Sequence, residues 1–523
     1  MIMELRNYVN GDWVAGDGDG AALIDPVRGT VLARASCEGI DLGAALAYAR
    51  ETGGAALRAT SFAERGALLG AIADALSANR DAYFATALAN SGNTKIDAAI
   101  DIDGGIGTLK YYARLGEKLG DVRYLKDGGF DRLTRDEAFR ALHLSVPLAG
   151  VAVHVNAFNF PSWGLWEKAA VALLSGVPVM AKPATATALL AHQMVADVVA
   201  AGVLPPGALS LLCGGARDLL DHVTGADAVA FTGSAETANR LRGQANVIAS
   251  SVRFNAEADS LNTSLLGPDA GPDSAEFGLF VREVAREMTI KAGQKCTAIR
   301  RAFVPRAVLD AVAEALAERL SRTVMGDPRT ESVTMGPLVN KAQQAAALDG
   351  LAALAEEATT IVGGDAGAPL DADPATSCFV APTLLRCDAP EAARAVHAVE
   401  VFGPVCTLMP YDTPEAAYGL AGRGGGSLVA SVFTGDDGFA ADAVLGLAPR
   451  HGRVLVVDES VGKSQTGHGI VMPMCLHGGP GRAGGGAELG GLRGLRFYHQ
   501  RLAVQGRLDR LEALAGDAAE LTV

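Results

Sequence analysis

The sequence has no block of five basic residues, no apolar run long enough to cross a bilayer, and no CxxC pair. Each absence removes a class of function. With 45 Lys plus Arg against 59 Asp plus Glu, a net charge of −14 and no basic block, the chain has no footprint for a phosphate backbone, so no nucleic-acid partner is expected. The longest near-apolar run, residues 169–181 (AAVALLSGVPVMA), is broken by Gly176 and Pro178, so no membrane association is expected. The N-terminal MIMELRNYVNGDWV has no apolar stretch of the kind a secretory signal needs, which makes the cytoplasm the expected compartment. The seven cysteines, at 37, 213, 296, 378, 387, 406 and 475, are odd in number and scattered. That argues against a disulfide framework or a zinc site, and no metal is expected.

What the chain does have is a globular balance: 523 residues, 49% hydrophobic and 20% charged, with 63 glycines punctuating the apolar segments. Length alone suggests about three domains. Residues 7–35 read as strands and turns, with turn chemistry at Asn10-Gly11. Ser61 to Glu64 forms a capping-box pattern ahead of a helix carrying Leu69, Ile72 and Leu76 on one face. From about 149 short apolar strands (GVAVHV, PVMA, LSLL, AVAF) alternate with helices near 163–174 and 187–201, and a second such series runs from about 262 to 460. This rhythm predicts α/β architecture with parallel sheets covered on both faces. Residues 506–516 (GRLDRLEALAG) predict a short exposed terminal helix.

Two glycine-rich stretches imitate a dinucleotide fingerprint. GPGRAG at 479–484 fits GxGxxG, but its glycine-dense surroundings do not read as a strand turning into a helix, and GDGDGA at 16–21 is followed by a Pro-containing turn. Both read as turns. A better phosphate site is ADAVAFTGSAETANRL, where Ser234 can cap a helix whose N-terminus follows a strand. PVMAKPA places Lys182 at the carboxyl edge of a sheet, where ligands usually bind, although a solvated lysine is the plainer reading. In KAGQKCTAIR, Cys296 has small and polar neighbours, Lys295 next to it and Gly293 to allow close backbone approach. A nucleophilic thiol needs a positive neighbour, a helix N-terminus or a base; none of the nine histidines is nominated by its local context.

Taken together, AFNFPSWGLWEK (157–168), KPAT (182–185), FTGS (231–234), NAEADS (255–260), GQKC (293–296), MGPLV (335–339) and EVFGPV (400–405) resemble the aldehyde dehydrogenase superfamily in order and spacing. The resemblance implies that Cys296 attacks the aldehyde and that Asn159 and the Cys296 N–H hold the oxyanion. Glu257 would activate water to hydrolyse the thioester, with a pKa near neutrality. It implies cofactor contacts at Lys182, Thr185, Phe158, Gly233, Ser234, Glu400 and Phe402, and matches Lys168 and Glu488 to a proton path and active-site network. A helix-face lysine and a solvated glutamate are the plain alternatives for those two.

Thr185 stands where many NAD-using members carry a glutamate beside the KP lysine, so NADP is the expected cofactor. The family's ELGG is here Glu257-Ala258-Asp259-Ser260, which alters the loop behind the base. FNFPSWGLWEK, KPATATA, RFNAEADSLN and the glycine-rich C-terminal block are similar to the ring-cleavage semialdehyde dehydrogenases of aerobic CoA-dependent aromatic degradation. Because the chain ends at Val523, a stand-alone enzyme rather than one fused to a hydratase is expected. The substrate implied is a CoA-linked semialdehyde, with Arg493, Arg496 and Arg501 as phosphate contacts by charge alone. A CoA-acylating enzyme and a cofactor-independent thiol hydrolase are the rival readings. The fold implied has a Rossmann-like cofactor domain (1–125 and 149–256), an α/β catalytic domain (257–480) and a strand arm (126–148 and 481–523) that makes a homodimer.

Overall fold

The protein is described by a computed structural model covering residues 2–521; residue 1 and residues 522–523, the outermost parts of the expected domains, lie outside the described residues. Two seven-stranded sheets organise it. In the first, Arg253–Glu257, Ala228–Thr232, Ala152–Val155, Val179–Lys182 and Leu209–Leu211 lie parallel in that order. The hairpin Asn7–Val9 and Asp12–Val14 extends this sheet antiparallel. Its turn is Asn10-Gly11, with φ of 56° and 83°, the left-handed pair a tight hairpin requires. In the second sheet, Thr383–Arg386, Val405–Tyr411, Arg301–Pro305, Thr263–Leu266, Ser427–Phe433 and His451–Val457 run parallel, with Thr359–Val362 antiparallel at one edge. Every residue of Val405–Tyr411 and Ser427–Phe433 is buried, as continuous apolar strands covered on both faces must be.

The helix Phe62–Ala78 begins in a complete capping box between Ser61 and Glu64, and it buries Leu69, Ile72 and Leu76 as its spacing predicts. GPGRAG forms a short 3-10 turn, Gly481–Ala483, and GDGDGA lies between strands Asp12–Val14 and Ala21–Ile24, so neither opens a helix after a strand.

His499–Arg507 pairs antiparallel with Phe139–Pro147 along its whole length and has a free outer edge. Residues 481–498, expected from the sequence to belong to this arm, instead pack on the body, where Leu489, Leu495 and Tyr498 join the core beside helix Trp163–Leu174. The C-terminal helix is short and mostly exposed, as expected, and is anchored by two buried residues. Leu508–Gly516 buries Leu511 and Ala515 against Leu142 and Leu144, and Ala518–Glu520 then pairs parallel with Tyr124–Lys126.

The loop that carries Cys296 is the most constrained part of the fold. After helix Ala275–Thr289, Lys291, Ala292 and Gly293 are all left-handed, with φ of 52°, 50° and 67°. For the two non-glycine residues this costs about 1–2 kcal/mol each. At Gly293 no other residue fits, because a Cβ would lie 2.1 Å from the Gly403 carbonyl oxygen. Side chains from elsewhere hold the loop. Asp97 accepts the Lys291 N–H at 2.7 Å, Arg300 donates to the Gly293 and Lys295 carbonyls at 2.9 and 3.2 Å, and Asn262 donates to the Cys296 carbonyl at 2.7 Å. Lys295 turns away from the sulfur: its ammonium meets both oxygens of buried Glu287 at 2.7 Å. The cation adjacent to Cys296 in sequence therefore anchors the loop rather than sitting on the thiol.

Breaking a buried pair leaves an uncompensated charge and costs about 3–5 kcal/mol. Glu287→Gln should lower stability by that amount in urea denaturation. Pairing Glu287→Met with Lys295→Met should recover most of the loss.

Candidate active site

Cys296 lies where two cavities meet. One, of about 510 Å³, is lined by Ile100, Gly104, Tyr111, Arg114, Phe160, Trp163, Val471, His477 and Cys296 among others. The other, of about 430 Å³, is lined by Asn156, Phe158, Asn159, Gly233, Ser234, Glu257, Glu400, Phe402 and Cys296 among others, so most of the predicted site residues converge there. The sulfur is thus reachable from two sides, the arrangement needed to bring two different molecules to one atom.

The second cavity sits at the carboxyl ends of the first sheet's strands. Ser234 caps helix Ala235–Arg242, its hydroxyl accepting the Thr237 N–H at 3.2 Å, as the sequence pattern predicts. Asp259 accepts the next N–H, that of Ala235, at 2.9 Å and lies 3.6 Å from the Arg482 guanidinium. Phe158 and Phe402 meet edge to face at 5.7 Å. Both side-chain polar atoms of buried Asn156 and one oxygen of Glu400 lack a hydrogen-bond partner, as expected of groups that face a polar ligand. Lys182 and Thr185 stand outside this cavity at the end of strand Val179–Lys182. Among the described residues Lys182 has no ion-pair partner; its Nζ donates to the Pro183 carbonyl at 3.3 Å, and burial lowers its pKa.

Asn159 donates one amide hydrogen to the Gln294 carbonyl at 3.1 Å, which fixes the amide in the wall of the cavity that Cys296 also lines. Glu257 ends the strand Arg253–Glu257 and is buried. One of its oxygens accepts from Thr232 at 3.4 Å; the other lies 2.9 Å from His477 Nε2, yet receives no hydrogen bond. The same nitrogen is 3.9 Å from Cys296 Sγ. Burial pushes the Cys296 thiol well up, and the Glu257 carboxylate beside it pushes the same way. For Glu257 burial also acts upward, but His477 and Lys168 outweigh it and hold the carboxyl below its ordinary value. A base poised near neutrality, expected from burial alone, is therefore corrected: the carboxyl is held low.

Lys168 is not a solvated helix-face lysine. It is buried in helix Trp163–Leu174, 2.6 Å from Glu167 and 3.0 Å from Glu488. Burial opposes its charge, but Glu167, Glu488 and Glu257 together hold its pKa above the ordinary lysine value. Glu488 is equally unlike a surface residue: it is buried and accepts from Asn255 at 3.1 Å. Arg493, Arg496 and Arg501 line a separate groove with Arg253 and do not line the first cavity; the arginine that does is Arg114, which charge counting overlooked. Sequence reasoning also missed His477 and Glu167. The only local sign for Glu167 was its place beside Lys168 in an otherwise apolar helix.

A cysteine shared by two cavities, one of them at a sheet's carboxyl edge and lined by an amide and a buried carboxylate, has the groups that covalent acyl chemistry at a thiol needs. The chain belongs to the aldehyde dehydrogenase family, whose model matches residues 13–502, and a nicotinamide dinucleotide is that family's cofactor. It is 58% identical over 479 residues, 91% of this chain and 93% of the relative, to 3,4-dehydroadipyl-CoA semialdehyde dehydrogenase of Aromatoleum evansii. It is 30% identical to α-ketoglutaric semialdehyde dehydrogenase of Bacillus subtilis (strain 168), over 82% of this chain and 85% of that one. A solved aldehyde dehydrogenase structure from Burkholderia cenocepacia shares the fold at a TM-score of 0.85 and 23% identity, covering 97% of this chain and 98% of that one. Among the described residues no helix is long and apolar enough to cross a membrane.

Glu400 gives a pH test of this geometry. Burial, only partly offset by Arg300 at 3.7 Å, pushes its carboxyl from 4.5 up to about 7. The folded form then holds a proton that the unfolded chain has released, so this group's contribution falls as pH rises from about 4.5 through 7. Over that window the wild type should lose about 3 kcal/mol more stability than Glu400→Gln, measured by urea denaturation without cofactor.

Proposed function

We propose that this protein is a cytoplasmic, homodimeric, NADP-dependent dehydrogenase that oxidises a CoA-linked C6 semialdehyde, 3,4-dehydroadipyl-CoA semialdehyde, to the carboxylate in aerobic breakdown of benzoyl-CoA. The observation that carries the reading is the meeting of the two cavities at Cys296, taken with the high identity to the Aromatoleum evansii enzyme. In the first cavity Ile100, Gly104, Gly107, Tyr111 and Arg114 follow one face of helix Lys95–Leu119, a track of roughly 20 Å along the axis. A Cβ at Gly107 would meet nothing, so the track is open there. It suits a linear acyl chain with its aldehyde at Cys296 and an anionic carrier beyond Arg114. A cavity of about 510 Å³ cannot hold a whole CoA, which leaves the nucleotide outside.

In this reading Cys296 adds to the aldehyde carbon. The Asn159 amide and the Cys296 N–H, which has no backbone acceptor among the described residues, stabilise the developing oxyanion, each donor contributing about 3 kcal/mol. When bound, NADP supplies the hydride acceptor. Lys182 and Thr185 would hold its adenosine ribose and 2′-phosphate, Gly233 and Ser234 its pyrophosphate, and Glu400, in the cavity that Phe158 and Phe402 also line, its nicotinamide ribose. Lys182 lacks a carboxylate partner, which favours a phosphate there. Glu257 then takes a proton from the water that cleaves the thioester, and Lys168 with Glu488 tunes that carboxylate. A carboxylate so close to the sulfur favours hydrolysis over acyl transfer to free CoA. The free edge of His499–Arg507 is suited to pairing with a second copy.

Absorbance at 340 nm, with CoA-linked and free C6 semialdehydes as substrates, tests the substrate: the CoA-linked compound should have a kcat/KM at least tenfold higher, and a new thioester in place of the carboxylate would refute hydrolysis. For the cofactor, NADP should be preferred over NAD at least tenfold, and Thr185→Glu should remove most of that preference through KM for NADP. A higher kcat/KM with NAD in the wild type would reject the assignment.

A further inference from the structure

His477 has no part in the reaction as read above, yet it lies against the sulfur beside Glu257. It lies in the short strand Leu476–Gly478 and is buried, with its ring edge to face against Trp163 at 5.5 Å. Its Nε2 meets Cys296 Sγ at 3.9 Å with hydrogen-bonding geometry, while the closer Glu257 oxygen, at 2.9 Å, receives no hydrogen bond from it. The same ring nitrogen is therefore within reach of both the sulfur and the carboxylate. We propose that His477 is the base that takes the Cys296 thiol proton, with Glu257 stabilising the imidazolium; the assignment rests on Cys296 being the nucleophile.

The step balances without another reactant. The S–H bond breaks, its proton goes to His477 Nε2, and the electron pair stays on sulfur. The thiolate then adds to the aldehyde carbon, and the carbonyl π pair moves to oxygen. The new N–H faces the undonated Glu257 oxygen, so the charge created on the ring meets an opposite charge already in place. The proton leaves later to water through the first cavity, which His477 itself lines.

A base is needed because burial and the nearest carboxylate disfavour a free thiolate. Burial and Glu257 raise the thiol, and Lys295, the nearest cation in sequence, is spent on Glu287. The groups facing His477 are Cys296 from its loop, Glu257 from the neighbouring strand, Glu488 across its own hairpin, and Glu167 with Lys168 from helix Trp163–Leu174. Lys168 binds two of those carboxylates.

The test uses the intact enzyme with His477→Gln, which keeps a polar side chain without a base, and His477→Phe, which keeps the ring packing. Iodoacetamide alkylation of the Cys296 peptide is followed by mass spectrometry from pH 6 to 10, with exposed Cys475 as internal reference. At pH 7 Cys296 alkylation and the NADPH burst should both slow at least tenfold in each variant. The loss should shrink toward pH 10, where hydroxide removes the proton, and Cys475 should be unaffected. Cys296 alkylation within twofold of wild type at pH 7, in either variant that folds, overturns the proposal. If Cys296→Ala still turns over, the nucleophile reading fails instead; if it is inactive while His477→Gln alkylates normally, only the role of His477 fails.

Discussion

One ammonium, that of Lys168, makes the rest of the active site possible. Oxygen atoms of Glu167, Glu257 and Glu488 lie within 4.8 Å of one another in the interior. At an effective dielectric of about 20, each such pair of anions repels by roughly 3 kcal/mol. Without a cation between them the carboxylates would take up protons, and Glu257 would cease to be an anion beside Cys296. Lys168 touches Glu167 and Glu488 directly and acts on Glu257 through space. The helix Trp163–Leu174 can hold it there because its other residues are almost all buried, which fixes the helix against its neighbours and leaves the lysine no route to solvent.

The second constraint is backbone. A sulfur open to two cavities cannot sit in a strand or a helix, where one side is always occupied by the element itself. The chain solves this with three left-handed residues in succession before Cys296, held by Asp97, Arg300, Asn262 and the Glu287–Lys295 pair. The strain is local and the restraints come from several distant segments, so the loop keeps its shape only when both sheets are in place. Site geometry and global fold are in this sense one requirement.

The periodic and short-range parts of this arrangement are legible in the amino-acid sequence alone. Parallel sheets follow from apolar runs alternating with helices, the Ser61 capping box from its spacing, and the Ser234 helix cap from a strand-Ser-helix junction. Cys296, Asn159 and Glu257 become readable as a set only through resemblance, because residues far apart in the chain carry no local mark of proximity. His477 stays hidden for the same reason: its neighbours in sequence are glycines and leucine, and its meaning comes from Glu257 and Cys296 across the fold. Lys295 misleads in the opposite direction. Adjacency in sequence puts its charge on the sulfur, but successive side chains in an irregular loop diverge, and its ammonium is taken by Glu287. The C-terminal helix is legible as short and exposed, but its anchoring contact with Leu142 and Leu144 is not, because those residues belong to a strand far away in the chain.

The glycine-rich GPGRAG block shows how a failed motif can still be functional. It cannot cradle a pyrophosphate, since no strand-to-helix turn surrounds it. Its chain instead lies against the back of the Glu257 strand: a Cβ at Gly484 or Gly486 would come within 2.3 or 2.4 Å of the Ala256 carbonyl oxygen, and Ala258 donates its N–H to Ala483. The same turn delivers Arg482 to Asp259, the residue that replaces a glycine of the family's loop and occupies the first N–H of helix Ala235–Arg242. An uncompensated carboxylate at that positive helix end would compete with any phosphate for it. Arg482 offsets that charge, so the loop departure and the glycine-rich block are two halves of one adjustment: the acid takes up the helix N–H behind Glu257, and the arginine balances the acid.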